Sequence, residues 1–172
     1  MEAADVAHLY RTLEAARVRT WVMGGFGVDA LLGRETRPHH DVDLLVEVAG
    51  LEQLRLSLAD AGFVFAYIWW EEVRWVRDEA WASPLEEPTA FVYRDAHGRE
   101  VDVHVIRERA DGTVEMLWNA PYAFTTEGLR GIGTIGGQEV RCLSAELQRQ
   151  AHTGYELPPH HVRDLELLAE LR

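Results

Sequence analysis

Between Thr20 and Val46 the chain passes from a short apolar stretch into Gly24-Gly25. It continues through "FGVDALLG" and the polar run "ETRPHH" into "DVDLLVEV". This segment constrains the fold more than any other. A strand sends successive side chains to opposite faces, so Asp41 and Asp43 share one face while Val42 and Leu44 take the other. Two carboxylates that close repel each other unless a cation sits between them. Hard oxygen ligands suit Mg²⁺, which keeps waters and takes substrate phosphates as its remaining ligands. The glycine pair lets the backbone turn sharply between strand and helix and approach a ligand closely. The helix start then offers free N–H groups and a positive dipole end to the phosphates of a nucleotide. No G-K-[ST] follows, so this is not a P-loop.

The rest of the chain supplies elements of both kinds. Helical spacing of Val6, Leu9, Leu13 and Ala16 predicts a helix over 4–17. Strands are expected at 19–23, 41–48 and 63–70, and helices at 26–33, closed by Gly33, and 51–62, closed by Gly62. Residues 89–106 read as a hairpin about Asp95-Gly98, and 132–144 as a second about Gly136-Gly137. Residues 71–88 read as irregular and "ERADGTVE" as a connector. Helices at 144–152 and 158–171 end the chain, the last opened by Pro158-Pro159. The hairpins make the sheet mixed, and the fold class is α+β. The expected organisation is one domain over 1–172, with a mixed core over 1–143 and C-terminal helices over 144–172.

A third acid is expected from "EVDVHVI", where Asp102 shares a face with Glu100 and His104. Asp102 can complete a metal set, take the proton of an attacking hydroxyl, or do both, with Glu100 as the reserve base. A net charge of −12 and the absence of a basic stripe argue against a nucleic-acid partner. The single cysteine, Cys142, excludes an internal disulfide and a cysteine metal cage. Apolar runs are far too short to span a bilayer, and the acidic, amphipathic start is unlike a secretory signal. No membrane partner is expected, and the cytoplasm is the expected location.

The stretch Gly24, Gly25, Asp29, Arg37, His39, Asp41, Asp43 resembles the signature of small antibiotic-modifying nucleotidyltransferases, the aminoglycoside 2″ enzymes and the small lincosamide enzymes. "VDVHVI" is similar to the lincosamide enzymes' corresponding strand. "VRCLSAELQRQAHTGYEL" and "RDLELL", with Asp164, resemble their C-terminal part. The resemblance implies a nucleotidyltransferase fold: a mixed sheet carrying two aspartates on one strand and the third on its neighbour. It implies that a drug hydroxyl attacks the α-phosphorus of an NTP, ATP first, with Mg²⁺ bound and pyrophosphate leaving. It implies Asp41, Asp43 and Asp102 as catalytic and metal-binding residues, and Gly24 and Gly25 as the phosphate turn. Arg37 is expected to pair with phosphate or with Asp29, and His39 to orient neighbours in the nucleotide site. His40 is read as a solvated loop residue, and Cys142 and Asp164 as structural. It also implies a homodimer.

The segment 71–88 departs from the small lincosamide enzymes by its length. Its flat aromatics Trp75 and Trp81, beside Trp69 and Trp70, can line an acceptor pocket, belong to the core or form a dimer interface, and they mix with Glu71, Glu72, Glu86 and Glu87. Such a surface suits an acceptor with an apolar body and an amine, which ranks a lincosamide ahead of an aminoglycoside. The competing readings are a toxin-like nucleotidyltransferase acting on a protein or tRNA, and a catalytically silent module on the same fold.

Overall fold

A computed structural model describes residues 1–68, 75–76, 87–117, 124–153 and 156–171. In chain order the elements are α1 (Ala3–Ala15), β1 (Thr20–Met23), α2 (Gly24–Leu32), β2 (Asp41–Glu47), α3 (Leu51–Asp60) and β3 (Val64–Ile68). Then come β4 (Trp75–Val76), β5 (Glu87–Pro88), β6 (Ala90–Arg94), β7 (Glu100–Glu108), β8 (Thr113–Met116) and β9 (Phe124–Thr125). The chain finishes with β10 (Gly131–Ile135), β11 (Gln138–Cys142), α4 (Ala145–Ala151) and α5 (Pro159–Ala169). No helix among the described residues is long and apolar enough to cross a membrane.

The main sheet runs β10-β11-β1-β2-β7-β6-β3, with β8 and β9 branching from β7. The pairs β1–β11 and β2–β7 are parallel and the others antiparallel, so the sheet is mixed, as expected. Strand alternation divides its side chains between two cores. Val42, Leu44 and Val46 of β2 join Val101, Val103 and Val105 of β7 under α1 and α3, with Leu13, Leu51, Leu54 and Leu58 fully buried against them. Each such side chain contributes about 1.5–3 kcal/mol by leaving water. On the opposite face Trp21, Leu45 and Ile106 pack with Leu147 of α4. The Trp21 indole N–H donates to the Leu129 carbonyl at 2.9 Å, which satisfies the polar edge of that buried ring. In a third cluster, Leu167 and Leu168 of α5 pack on Val28 of α2.

Two expectations need correction. "ERADGTVE" is a hairpin rather than a connector. Its turn is pinned by Asp111, whose carboxylate accepts from the Thr113 N–H and hydroxyl, and β8 returns antiparallel on β7. Within 71–88, β4 and β5 pair as a short antiparallel ribbon, Trp75 opposite Pro88. Trp69, Trp70, Trp81, Glu71, Glu72 and Glu86 lie outside the described residues, as do the side chains of Trp75 and Glu87.

Candidate active site

The parallel register of β2 on β7 sets Asp41 opposite Glu100 and Asp43 opposite Asp102. Because i and i+2 share a face, Asp41, Asp43, Glu100, Asp102 and His104 all stand on the face away from α1 and α3. Ligand atoms of Asp43, Asp102 and His104 lie within 4.8 Å of one another. Burial first, and then the charges of Asp102 and Asp41, push the Asp43 carboxyl up to about 8. Burial alone would lower His104, but Asp102, 3.4 Å from its Nε2, and Asp43 outweigh it and raise its pKa. Glu100 has its own cation: Arg94, opposite it on β6, donates from Nε at 2.7 Å. Asp102 is the carboxylate that turns inward, 5% exposed, against Asp43. Crowded carboxylate oxygens that resist ionising together are a donor set suited to a hard divalent cation.

Gly24 and Gly25 are the first residues of α2 itself, not a turn ahead of it. Gly24 has φ +61°, a left-handed value that glycine adopts freely, and a Cβ there would stand 2.0 Å from Asp43 Oδ2. A Cβ on Gly25 would stand 2.5 Å from the His39 ring and 2.6 Å from Arg37 Nη2. The glycines therefore let a helix N-terminus meet the acidic strand at backbone distance. Gln148 of α4, fully buried, donates its amide to the Gly24 carbonyl and fixes that first peptide.

A hydrogen-bonded chain backs the glycines. Arg37 Nη2 donates to Asp164 Oδ2 of α5 at 3.1 Å. Its Nη1 lies 3.0 Å from His39 Nδ1. A guanidinium only donates, so Nδ1 accepts and Nε2 carries the proton, donated to Asp29 Oδ2 at 2.7 Å. Thr36 donates its N–H and hydroxyl to the other Asp29 oxygen. Of the two expected partners, Asp29 is taken up by His39 and Thr36, and Arg37 pairs with Asp164 instead. Asp164, 0% exposed, is the anchor that ties α5 to this chain. Cys142 is buried, and burial pushes its thiol up to about 12, so it is an inert core residue.

These groups open into one cleft of about 570 Å³. Gly24, Gly25, Arg37, His39, Asp41, Asp43 and Asp102 all line it. His40 is an exposed loop residue, as expected, and lines it too. The sequence reading matches His152 to the family's C-terminal stretch but gives no site role to it, to His160 and His161, which line the cleft with it, or to Gln148 behind Gly24. The signal for two of them is "PPHH", which places His160 and His161 in the first turn of a helix.

A family model described as aminoglycoside-2″-adenylyltransferase matches residues 5–168. A lincosamide resistance protein of Staphylococcus haemolyticus is 23% identical over 155 residues, 89% of this chain and 85% of that protein. Among solved structures, the lincomycin-bound lincosamide antibiotic adenylyltransferase LnuA superposes with a TM-score of 0.77 at 21% identity, covering 98% of this chain and 97% of that one. ANT(2″)-Ia in complex with adenylyl-2″-tobramycin gives 0.68 at 21% identity, covering 98% and 87%. The fold is that of these nucleotidyltransferases, and the chain, matched over nearly its whole length, belongs to the aminoglycoside-2″-adenylyltransferase family of antibiotic nucleotidyltransferases.

Proposed function

We propose that the protein transfers a nucleoside monophosphate from ATP to a hydroxyl of a small antibiotic, a lincosamide ahead of an aminoglycoside, with Mg²⁺ bound and pyrophosphate released. The observation that carries this reading is the parallel register that puts Asp43 against Asp102 beside the glycine-opened start of α2. The N–H groups at the start of α2 hold phosphate oxygens, and Gly24 and Gly25 keep that approach free of side chains. Asp102 takes the proton of the acceptor hydroxyl as its oxygen bonds to the α-phosphorus and the bond to pyrophosphate breaks. His104 neighbours Asp102 and steadies its charge. Asp41, Asp43 and Asp102 would hold Mg²⁺, which when bound neutralises the triphosphate and the crowded carboxylates. Arg37 and His39 position the α2 start rather than contacting the reacting atoms.

The lincosamide preference rests on the higher structural likeness to the lincomycin-bound enzyme and its more complete coverage. The aromatic and acidic composition of 71–88, just before the hairpin bearing Asp102, agrees with it. The need for an intracellular NTP supply supports a cytoplasmic location. The net charge of −12 makes a small molecule a better acceptor than a nucleic acid. The decisive experiment incubates the protein with each NTP, Mg²⁺ and a panel of lincosamides and aminoglycosides, following pyrophosphate release and product mass. A lincosamide heavier by one nucleoside monophosphate is the expected product. An aminoglycoside product alone reverses the ranking, and no product from any pair removes the transfer. We further propose a homodimer whose two chains build the acceptor cleft. Light scattering at micromolar concentration tests this, and a fully active monomer refutes it.

A further inference from the structure

The charge of the cleft is divided in a way that the transfer chemistry alone does not require. The chain carries a net −12 and only eight histidines. Five of them, His39, His40, His152, His160 and His161, line the same cleft as the aspartates. His39 is committed to Asp29 and Arg37. The other wall is built by His152 at the end of α4 and by His160 and His161 in the first turn of α5. The His161 ring stacks edge-on between its neighbours, 4.8 Å from His152 and 4.4 Å from His160 between centroids. His152 donates Nδ1–H to the Gln148 carbonyl at 2.7 Å, and its Nε2 lies 4.0 Å from Asp164.

The groups bearing on His161 include His152 at the end of α4, His160 and Asp164 on α5, and Arg37 before β2. Asp164 supplies a single negative charge, already held by Arg37. Burial first, then His152 and His160, push the His161 imidazole down to about 4. Among the described residues, three imidazoles and a guanidinium here face a single named carboxylate, Asp164. This wall is not built for a metal. Among the described residues, the ligand cluster that closes to within 4.8 Å is Asp43, Asp102 and His104, across the cleft. A nearby guanidinium would also repel a cation.

We propose that His160 and His161, backed by Arg37 and His152, form a subsite for the pyrophosphate end of the nucleotide, and that filling it takes up protons. The identity of the anion rests on the transfer reading above. With the α-phosphorus at the aspartates, the β- and γ-phosphates extend past Gly24 and Gly25 toward the start of α5. A polyanion there favours the imidazolium forms. By linkage, its affinity rises as pH falls toward 6, and the imidazoles shed those protons as pyrophosphate departs.

The test is calorimetry of inorganic pyrophosphate with Mg²⁺ on the whole chain at pH 6.5 and pH 8. Two buffers of different ionisation enthalpy report the protons taken up. Wild type is compared with His160→Asn and with the His160→Asn/His161→Asn pair. The single variant changes an exposed residue and keeps the comparison valid where the pair does not fold. Removing each charge-assisted hydrogen bond to the anion should weaken binding at pH 6.5 by about tenfold or more, with a smaller loss at pH 8 and fewer protons taken up. Equal affinity and equal proton uptake in wild type and variants overturn the subsite, as does no pyrophosphate binding at all. The transfer assay is separate. Histidine-dependent pyrophosphate binding without any antibiotic product keeps the subsite and removes the proposed acceptor chemistry. Product formation with histidine-independent binding does the reverse.

Discussion

Replacing Asp43 by Asn should make the metal-free protein more stable while abolishing transfer, and the gain should depend on pH. Ligand atoms of Asp43 and Asp102 lie within 4.8 Å. At an effective dielectric constant of about 20, unit charges at that distance repel by about 3.5 kcal/mol. The folded-state pKa of Asp43 is raised from 3.8 to about 8. A carboxyl raised on folding contributes its full share of stability below the unfolded value. That contribution is lost progressively as pH climbs to the folded value. Above pH 8 the wild type therefore carries the whole repulsion, and the amide variant does not. For a chain of this length, about 3.5 kcal/mol corresponds to a Tm gain of roughly 7–14 °C at pH 9. The gain should shrink through pH 6 and vanish near pH 4. Saturating Mg²⁺ at pH 9 should raise the wild-type Tm and leave the variant nearly unchanged, because ligand binding stabilises only the form that binds. Thermal melts in EDTA and in Mg²⁺ across pH 4–9 measure all of this. A variant Tm equal to or below wild type at pH 9, or a gain that does not vary with pH, refutes the claim that crowded carboxylates hold this site open for a cation.

Three further substitutions probe the other parts. Asp102→Asn should reduce kcat by about 10²–10⁴-fold with the fold intact by circular dichroism, and wild-type-like turnover would return the base role to Glu100. Gly24→Ala places a methyl 2.0 Å from Asp43 Oδ2 at φ +61°; it should cost about 1–3 kcal/mol in urea melts and abolish nucleotide binding by calorimetry. Asp164→Asn weakens the tie to Arg37, so KM for the nucleotide should rise while about 1.5–3 kcal/mol of stability is lost. Unchanged KM would mean that α5 only packs.

What can be read from the sequence follows from how far apart the interacting residues lie along the chain. Asp41 and Asp43 are two residues apart in a strand, so local geometry sets their common face. Gly24-Gly25 between a strand and a helix is equally local, and only the helix start differs, by two residues. β8 escapes a sequence reading because four residues are too few to establish a period of two. The pairing of Asp43 with Asp102 needs a parallel register that no window shorter than the crossover contains. The Arg37–Asp164 tie spans 127 positions and the Gln148–Gly24 bond 124. Residue type alone allows Arg37 several partners, and only closure of α5 onto α2 selects one. The two walls of the cleft differ in the same way. The acidic wall is concentrated in two adjacent strands and announces itself as D-x-D and D-x-H. The imidazole wall is assembled from α4, α5 and the loop before β2, so each histidine in isolation reads as an ordinary surface or core residue. The proposed anion subsite takes shape only when the three segments meet beside Asp164.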